Sequence, residues 1–219
     1  MGEKRFTPII ENLIDTPDTI ELLQKQIAYI LKGETAYQHT LAAKNKSADK
    51  DIYKMRVHIE NARPYDIEGE PPATPFVNIL LNKIEAMDGN ARSGQQKMKA
   101  RFSIDCIAFG NDAGDEWDEK AAAARAWKAA RIVRRILMSD AYVYLGMRGT
   151  VGSRNVVAME SGVPDNGGDA TAVVLVRLTL ELQYLECAES GPHETLESIY
   201  FSVDTSNGEI IMNEEGKEA

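Results

Sequence analysis

Thr171-Ala-Val-Val-Leu-Val-Arg-Leu-Thr-Leu-Glu-Leu-Gln-Tyr184 is the stretch that decides the fold. Ala172, Val174, Val176, Leu178, Leu180, Leu182 and Tyr184 alternate with Thr171, Val173, Leu175, Arg177, Thr179, Glu181 and Gln183. A period of two lays one side of a strand on a core and leaves the other in different surroundings. At roughly 3.3 Å per residue the stretch spans about 45 Å, against five or six residues in an ordinary strand. A small domain can hardly cover that length. One end of the strand, or its Val173 and Leu175 side, is therefore expected to meet another chain.

Working upstream, a helix is expected over 115–138, with Ala122, Ala126, Ala129, Val133, Ile136 and Leu137 as its apolar stripe. Acidic residues crowd its first turns and Arg131, Arg134 and Arg135 its last, which opposes the helix dipole at each end. Short strands are expected at 142–147 and 155–160, with hairpin turns at Gly146, Gly149 and Gly152. Before the helix, Met98, Ala100, Phe102, Ile104, Cys106 and Ala108 alternate with Lys97, Lys99, Arg101, Ser103 and Asp105. A one-residue slip would bury those charges, so the register of this strand is fixed. A more central strand is expected over 76–86, and a half-exposed one over 53–60 with Tyr53, Met55, Val57 and Ile59 on the inner side.

At the N-terminus, Thr7-Pro8 and Thr16-Pro17 each place a capping hydroxyl before a proline suited to a first helical turn. Ile20, Leu23, Ile27, Ile30 and Leu31 follow at helical spacing, and Gly33 is the expected terminator. The polar stretch 34–50 is expected to be a surface loop. Residues 188–219 form an acidic extension in which 199–203 and 209–212 bracket Ser206-Asn207-Gly208, a hairpin signal. The sequence therefore predicts an α+β domain over 1–187. An N-terminal helix and one long central helix accompany its strands, and a C-terminal β-hairpin arm follows.

The chain has 219 residues, 34 acidic against 25 basic, and no apolar run near the eighteen or so that cross a bilayer. No membrane partner is expected, and since no apolar h-region follows Met1-Gly-Glu-Lys-Arg-Phe-Thr-Pro8, no secretory signal is expected either. Nor is there the surplus of Lys and Arg that gripping nucleic acid requires. Most of the net charge of −9 lies near the C-terminus, where it keeps the chain soluble, repels DNA or docks on a basic partner.

The sequence carries no catalytic or metal-binding motif. Cys106 and Cys187 lie far apart, with no CxxC. His39, His58 and His193 lack a second ligand at metal spacing, and His193-Glu194 followed by Glu197 departs from H-E-x-x-H. The acidic residues around Asp115 lack the loop glycine and terminal glutamate of an EF-hand. No cofactor, no metal and no enzymatic activity are expected. The rival from another class is a ligand-binding or enzymatic α+β domain, motivated by the Gly- and Asp-rich loops within 146–169; it predicts a deep pocket with perturbed ionisable groups.

Residues 74–186 run strand, charged strand, charged helix, short strand or strands, long strand. In this order the chain resembles the tail terminator (tail completion) proteins of long-tailed bacteriophages. The matching segments are Pro75-Phe-Val-Asn-Ile-Leu-Leu, then Ala100-Arg-Phe-Ser-Ile-Asp-Cys-Ile-Ala108, then Leu175-Val-Arg-Leu-Thr-Leu-Glu-Leu-Gln-Tyr184. The resemblance implies a mixed, mostly antiparallel sheet flanked by the N-terminal helix and the long central helix, in a non-enzymatic virion protein of the tail-neck region, assembled in the host cytoplasm as a hexameric ring. Such a ring caps the tail tube protein, ends tail polymerisation and presents a joining surface to a neck or head-completion protein. A sheath is a further partner where the tail is contractile. DNA passes through the ring without specific binding. Another neck or tail component, a head-tail connector or a tube subunit, is the alternative in the same assembly.

A ring closes through heterologous contacts, one face of each subunit meeting a different face of the next. The candidate interface residues are Lys128, Arg131 and Arg135 on the long helix, and Val173, Leu175 and Arg177 on the long strand. Arg131 and Arg135 either serve that contact or only neutralise the helix C-terminus.

Overall fold

The computed structural model describes residues 17–61, 74–87, 95–110, 117–162 and 173–187. Helix α1 (Thr19–Lys44) leads to a short 3-10 turn (Lys50–Tyr53) and strands β1 (Arg56–Ile59), β2 (Phe76–Ala86) and β3 (Gln95–Phe109). Helix α2 (Trp117–Leu137), a second 3-10 turn (Asp140–Tyr142), β4 (Val151–Gly162) and β5 (Val173–Cys187) complete the described elements. The five strands form one sheet in the order β1-β2-β3-β5-β4. Only the β1–β2 pair is parallel. The class is α+β with a mixed, mostly antiparallel sheet, as expected. Among the described residues no helix is long and apolar enough to cross a membrane.

Both helices pack on the same face of the sheet. Phe102, Ile104 and Cys106 of β3 and Val176, Leu178, Leu180 and Leu182 of β5 point into this core, each fully buried. The expected α2 stripe is buried throughout, and its alanines let the helix axis lie close to the strands. The α2 C-terminus is capped from β4: the Arg154 guanidinium donates to the carbonyls of Leu137 and Ser139. A cation there satisfies carbonyls that have no partner within the helix and offsets the negative end of its dipole.

Several expectations need correction. Helix α1 does not stop at Gly33, and 34–44 is helix rather than surface loop. Ala36, Leu41, Ala42 and Ala43 are strong helix formers, and one interior glycine costs only about 1 kcal/mol. Buried Thr35 and Ala42 extend the apolar stripe in small residues, and the Thr35 hydroxyl donates to the Leu31 carbonyl at 2.7 Å. The stop comes at Lys46, which takes the left-handed φ of 52°. Its N–H donates to the Ala43 carbonyl while that of Ser47 donates to the Ala42 carbonyl, the paired bonds of a Schellman motif. At the other end the N-cap is Asp18, so Thr16-Pro17 precedes the helix. Thr7-Pro8 and the C-terminal hairpin lie outside the described residues.

The strand expected over 53–60 shortens to β1, with Tyr53 taken by the 3-10 turn and Ile59 39% exposed. The strand expected over 142–147 is a run of turns. Leu145 and Gly146 take φ of 50° and 74°, which no strand accommodates, and Leu145 enters the core from the turn. The strand expected over 155–160 is the longer β4. The place of β5 bears on the expectation that one end of it, or its Val173 and Leu175 side, meets another chain. β5 lies inside the sheet: every residue from Val173 to Cys187 has a partner on the equally long β3, and Leu175 to Tyr184 are also paired with β4.

Candidate assembly surface

Among the described elements, no helix packs on the second face of the sheet. At one end of that face Phe76, Ile107, Phe109 and Val173 form a buried cluster with half-buried Leu175 against it. Phe76 meets Phe109 edge-on at 5.8 Å, stacks with His58 at 5.6 Å and carries the Arg56 guanidinium 5.4 Å from its ring centre. A planar cation over an aromatic face is an attractive contact.

Along the same face the surface turns polar. Asp105, its side chain 4% exposed, accepts two bonds from Arg177 at 2.7 and 2.8 Å, and Arg177 itself is 44% exposed. This bidentate pair holds the guanidinium above its ordinary pKa. Asn78 is fully buried and exchanges two bonds with the Asn61 backbone at 3.1 and 2.8 Å. Glu181 is gripped by Lys99 at 2.8 Å and Arg101 at 2.6 Å, whose hydrogen bonds hold its carboxyl below the usual range. Ser103 and Asp105 are buried although the alternation places them on the solvent side.

The sheet has two borders, the four-residue β1 on one side and the twelve-residue β4 on the other. β4 is bonded to β5 alone among the described strands, and no described strand pairs with its outward side. Its stretch Val156-Val157-Ala158-Met159 is uncharged, and Val157 is 47% exposed. Edges of this kind invite another strand unless charge or a bulge blunts them. Register shifts occur at Val151/Ser153 and Val156/Ala158, leaving the ladder from Ala158 to Gly162 regular.

The six expected interface residues divide between two surfaces. Val173, Leu175 and Arg177 share the helix-free face, where Val173 is buried within the chain and Arg177 is engaged with Asp105. Lys128, Arg131 and Arg135 lie on α2, in the opposite layer. Lys128 is bound to Asp49 at 2.7 Å, holding that carboxyl below its usual range, while Arg131 and Arg135 are exposed. Exposed Arg134 and Trp127 belong to the same outer face. The alternation does not find Phe76, Ile107 and Phe109. The signal for Ile107 and Phe109 is the apolar run at 106–109, which with 173–176 marks strand ends buried on both sides.

Cys106 is fully buried, and desolvation pushes its thiol up. His39 stands in α1, 3.9 Å from Asp51. Among the described residues no group of three or more His, Cys, Asp or Glu is placed to hold a metal ion.

Neither a protein-family model nor a curated protein matches the sequence. Among solved structures, a chain from the virion of a native gene transfer agent particle is 19% identical, with a TM-score of 0.34 over 69% of this chain and 91% of that one. A second solved chain is 17% identical, with a TM-score of 0.30 over 70% of this chain and 94% of that one. Both likenesses are distant.

Proposed function

We propose that the chain is a non-catalytic structural virion protein of a phage-like particle, a tail-terminator subunit that forms a hexameric ring. The ring ends the tail tube and offers a surface to the neck. The observation that carries this reading is the open border of β4, a twelve-residue strand bonded on one side only among the described strands. The element order shared with tail terminators supplies the biological setting. A subunit whose sheet ends in an edge with an uncharged stretch at 156–159 completes its hydrogen bonding by pairing with a neighbour, and when that contact is heterologous it closes a ring.

Electron microscopy of the purified full-length chain tests this. Closed six-fold rings are expected. Val157→Lys, which puts a charge on the exposed edge without touching the core, should leave folded subunits that no longer close. Open filaments would place the chain among tube subunits. A wild-type chain that stays monomeric at high concentration, with no affinity for isolated tail tubes, would refute the reading.

A further inference from the structure

Charge is distributed so that one part of this chain complements another. Residues 188–219 carry eight acidic residues against Lys217 alone, leaving 26 acidic against 24 basic in residues 1–187. Within that nearly balanced part, α2 departs from the average: after Glu119 it carries Lys120, Arg125, Lys128, Arg131, Arg134 and Arg135 and no acid. Arg125 is tied to the Phe109 carbonyl and Lys128 to Asp49. Arg131, Arg134 and Arg135 remain exposed on the outer side of the helix, more cations than the dipole of one helix end needs. Trp127, 37% exposed, precedes Arg131 by one turn and Arg134 by two, which puts an aromatic foothold beside the charges.

We propose that the acidic segment 188–219 of one copy docks on the outer face of α2 of the next copy. The inference rests on the ring assembly proposed above and names the second contact that holds it. Donor and acceptor are different surfaces of the same chain, which is what a heterologous ring contact requires. The segment also carries apolar runs, Ile199-Tyr200-Phe201 and Ile210-Ile211-Met212, that suit Trp127. Its 32 residues, at up to about 3.3 Å each, span on the order of 100 Å when extended, ample to reach a neighbour.

Two full-length variants separate donor from acceptor. In the first, Arg131→Gln, Arg134→Gln and Arg135→Gln remove the acceptor charges from exposed positions. In the second, the eight acidic residues of 188–219 become their amides. By sedimentation at low salt, each alone should associate about 10- to 100-fold more weakly than wild type. Their equimolar mixture should associate more tightly than either, because the intact segment of the first finds the intact helix of the second. Thermal midpoints close to wild type establish that both variants fold. Rings as tight as wild type from both variants would overturn the docking and leave the ring standing. Weakened variants without gain on mixing would overturn docking between copies and indicate a chain that closes on itself. A monomeric wild type would overturn ring and docking together.

Discussion

Gly33→Ala and Gly146→Ala are the same chemical change with opposite expected outcomes, and together they test the course of α1 and the turn after α2. Gly33 lies inside α1 with an ordinary helical backbone, and a Cβ added there meets nothing within 4 Å. Alanine should stabilise by about 1 kcal/mol, the helix-propensity gap, partly by restricting the unfolded chain. Gly146 has φ of +74°, and a Cβ there would stand 2.8 Å from Gln26 Nε2. That amide is the end of a flexible side chain and moves aside, so the cost is mainly the left-handed backbone, about 1–2 kcal/mol. The two variants should therefore differ by roughly 2–3 kcal/mol. Urea unfolding followed by far-ultraviolet circular dichroism, with unchanged m-values, measures the gap. In thermal unfolding, 1 kcal/mol corresponds to about 2–4 °C for a chain of this size. A Gly33→Ala variant less stable than wild type would show that the helix ends at 33 after all, with 34–44 outside it.

Further outcomes follow from the two sheet faces. Val176→Asp places a carboxylate in a fully buried aliphatic site and should cost upwards of about 4 kcal/mol, giving insoluble or unfolded chain, whereas Gln183→Asp on the exposed side of the same strand should leave thermal stability nearly unchanged. Arg177→Met strands the buried Asp105 carboxylate and should cost about 2 kcal/mol; Arg177→Met with Asp105→Asn should recover part of that loss in a double-mutant cycle. Burial pushes the Tyr142 phenol up to about 12, with its bond to Glu34 adding to the shift, and burial raises Tyr184 likewise to about 12. Because the folded values lie above the ordinary value of 10, their stabilisation is complete below pH 10 and lost as pH rises through 12. Absorbance at about 295 nm during alkaline titration should show a late tyrosinate step that Tyr142→Phe and Tyr184→Phe remove together.

How much of this fold was legible depends on which forces set each element. The inward alternation of β3 and β5 comes from burial on one side only, and it leaves a direct mark on the sequence, so both strands and their facing are readable. The α2 stripe is readable for the same reason. Gly33 misleads because local punctuation is weak beside the packing of a 26-residue helix, whose true stop at Lys46 uses a left-handed residue other than glycine. Residues 142–147 mislead because Leu145 reaches the core from a turn and so imitates a strand position. Among the six interface candidates, the division into two layers was not legible, because pairing order is a long-range property that no local pattern encodes. Burial of Ser103 and Asp105 escaped for a related reason: the partner that compensates Asp105, Arg177, is 72 residues away.

The length of β5 has a physical consequence different from the one its sequence suggests. A long strand alone has two long borders to satisfy, yet a second strand of equal length cancels one of them completely. Here β3 does so residue for residue, and β4 covers most of the other. On that side the border left unpaired among the described strands is thereby passed outward to β4, a strand whose own composition gives no hint of it beyond Val156-Val157-Ala158-Met159. The same pairing makes β3 and β5 a rigid spine, since slipping either by one residue would bury Lys99, Arg101 and Glu181 and expose Phe102 and Leu180. A rigid spine with a free edge on one side and a cationic helix on its back can be joined to copies of itself without refolding. Assembly then depends on β4 and the outer side of α2, and substitutions in the spine should change stability before they change ring geometry.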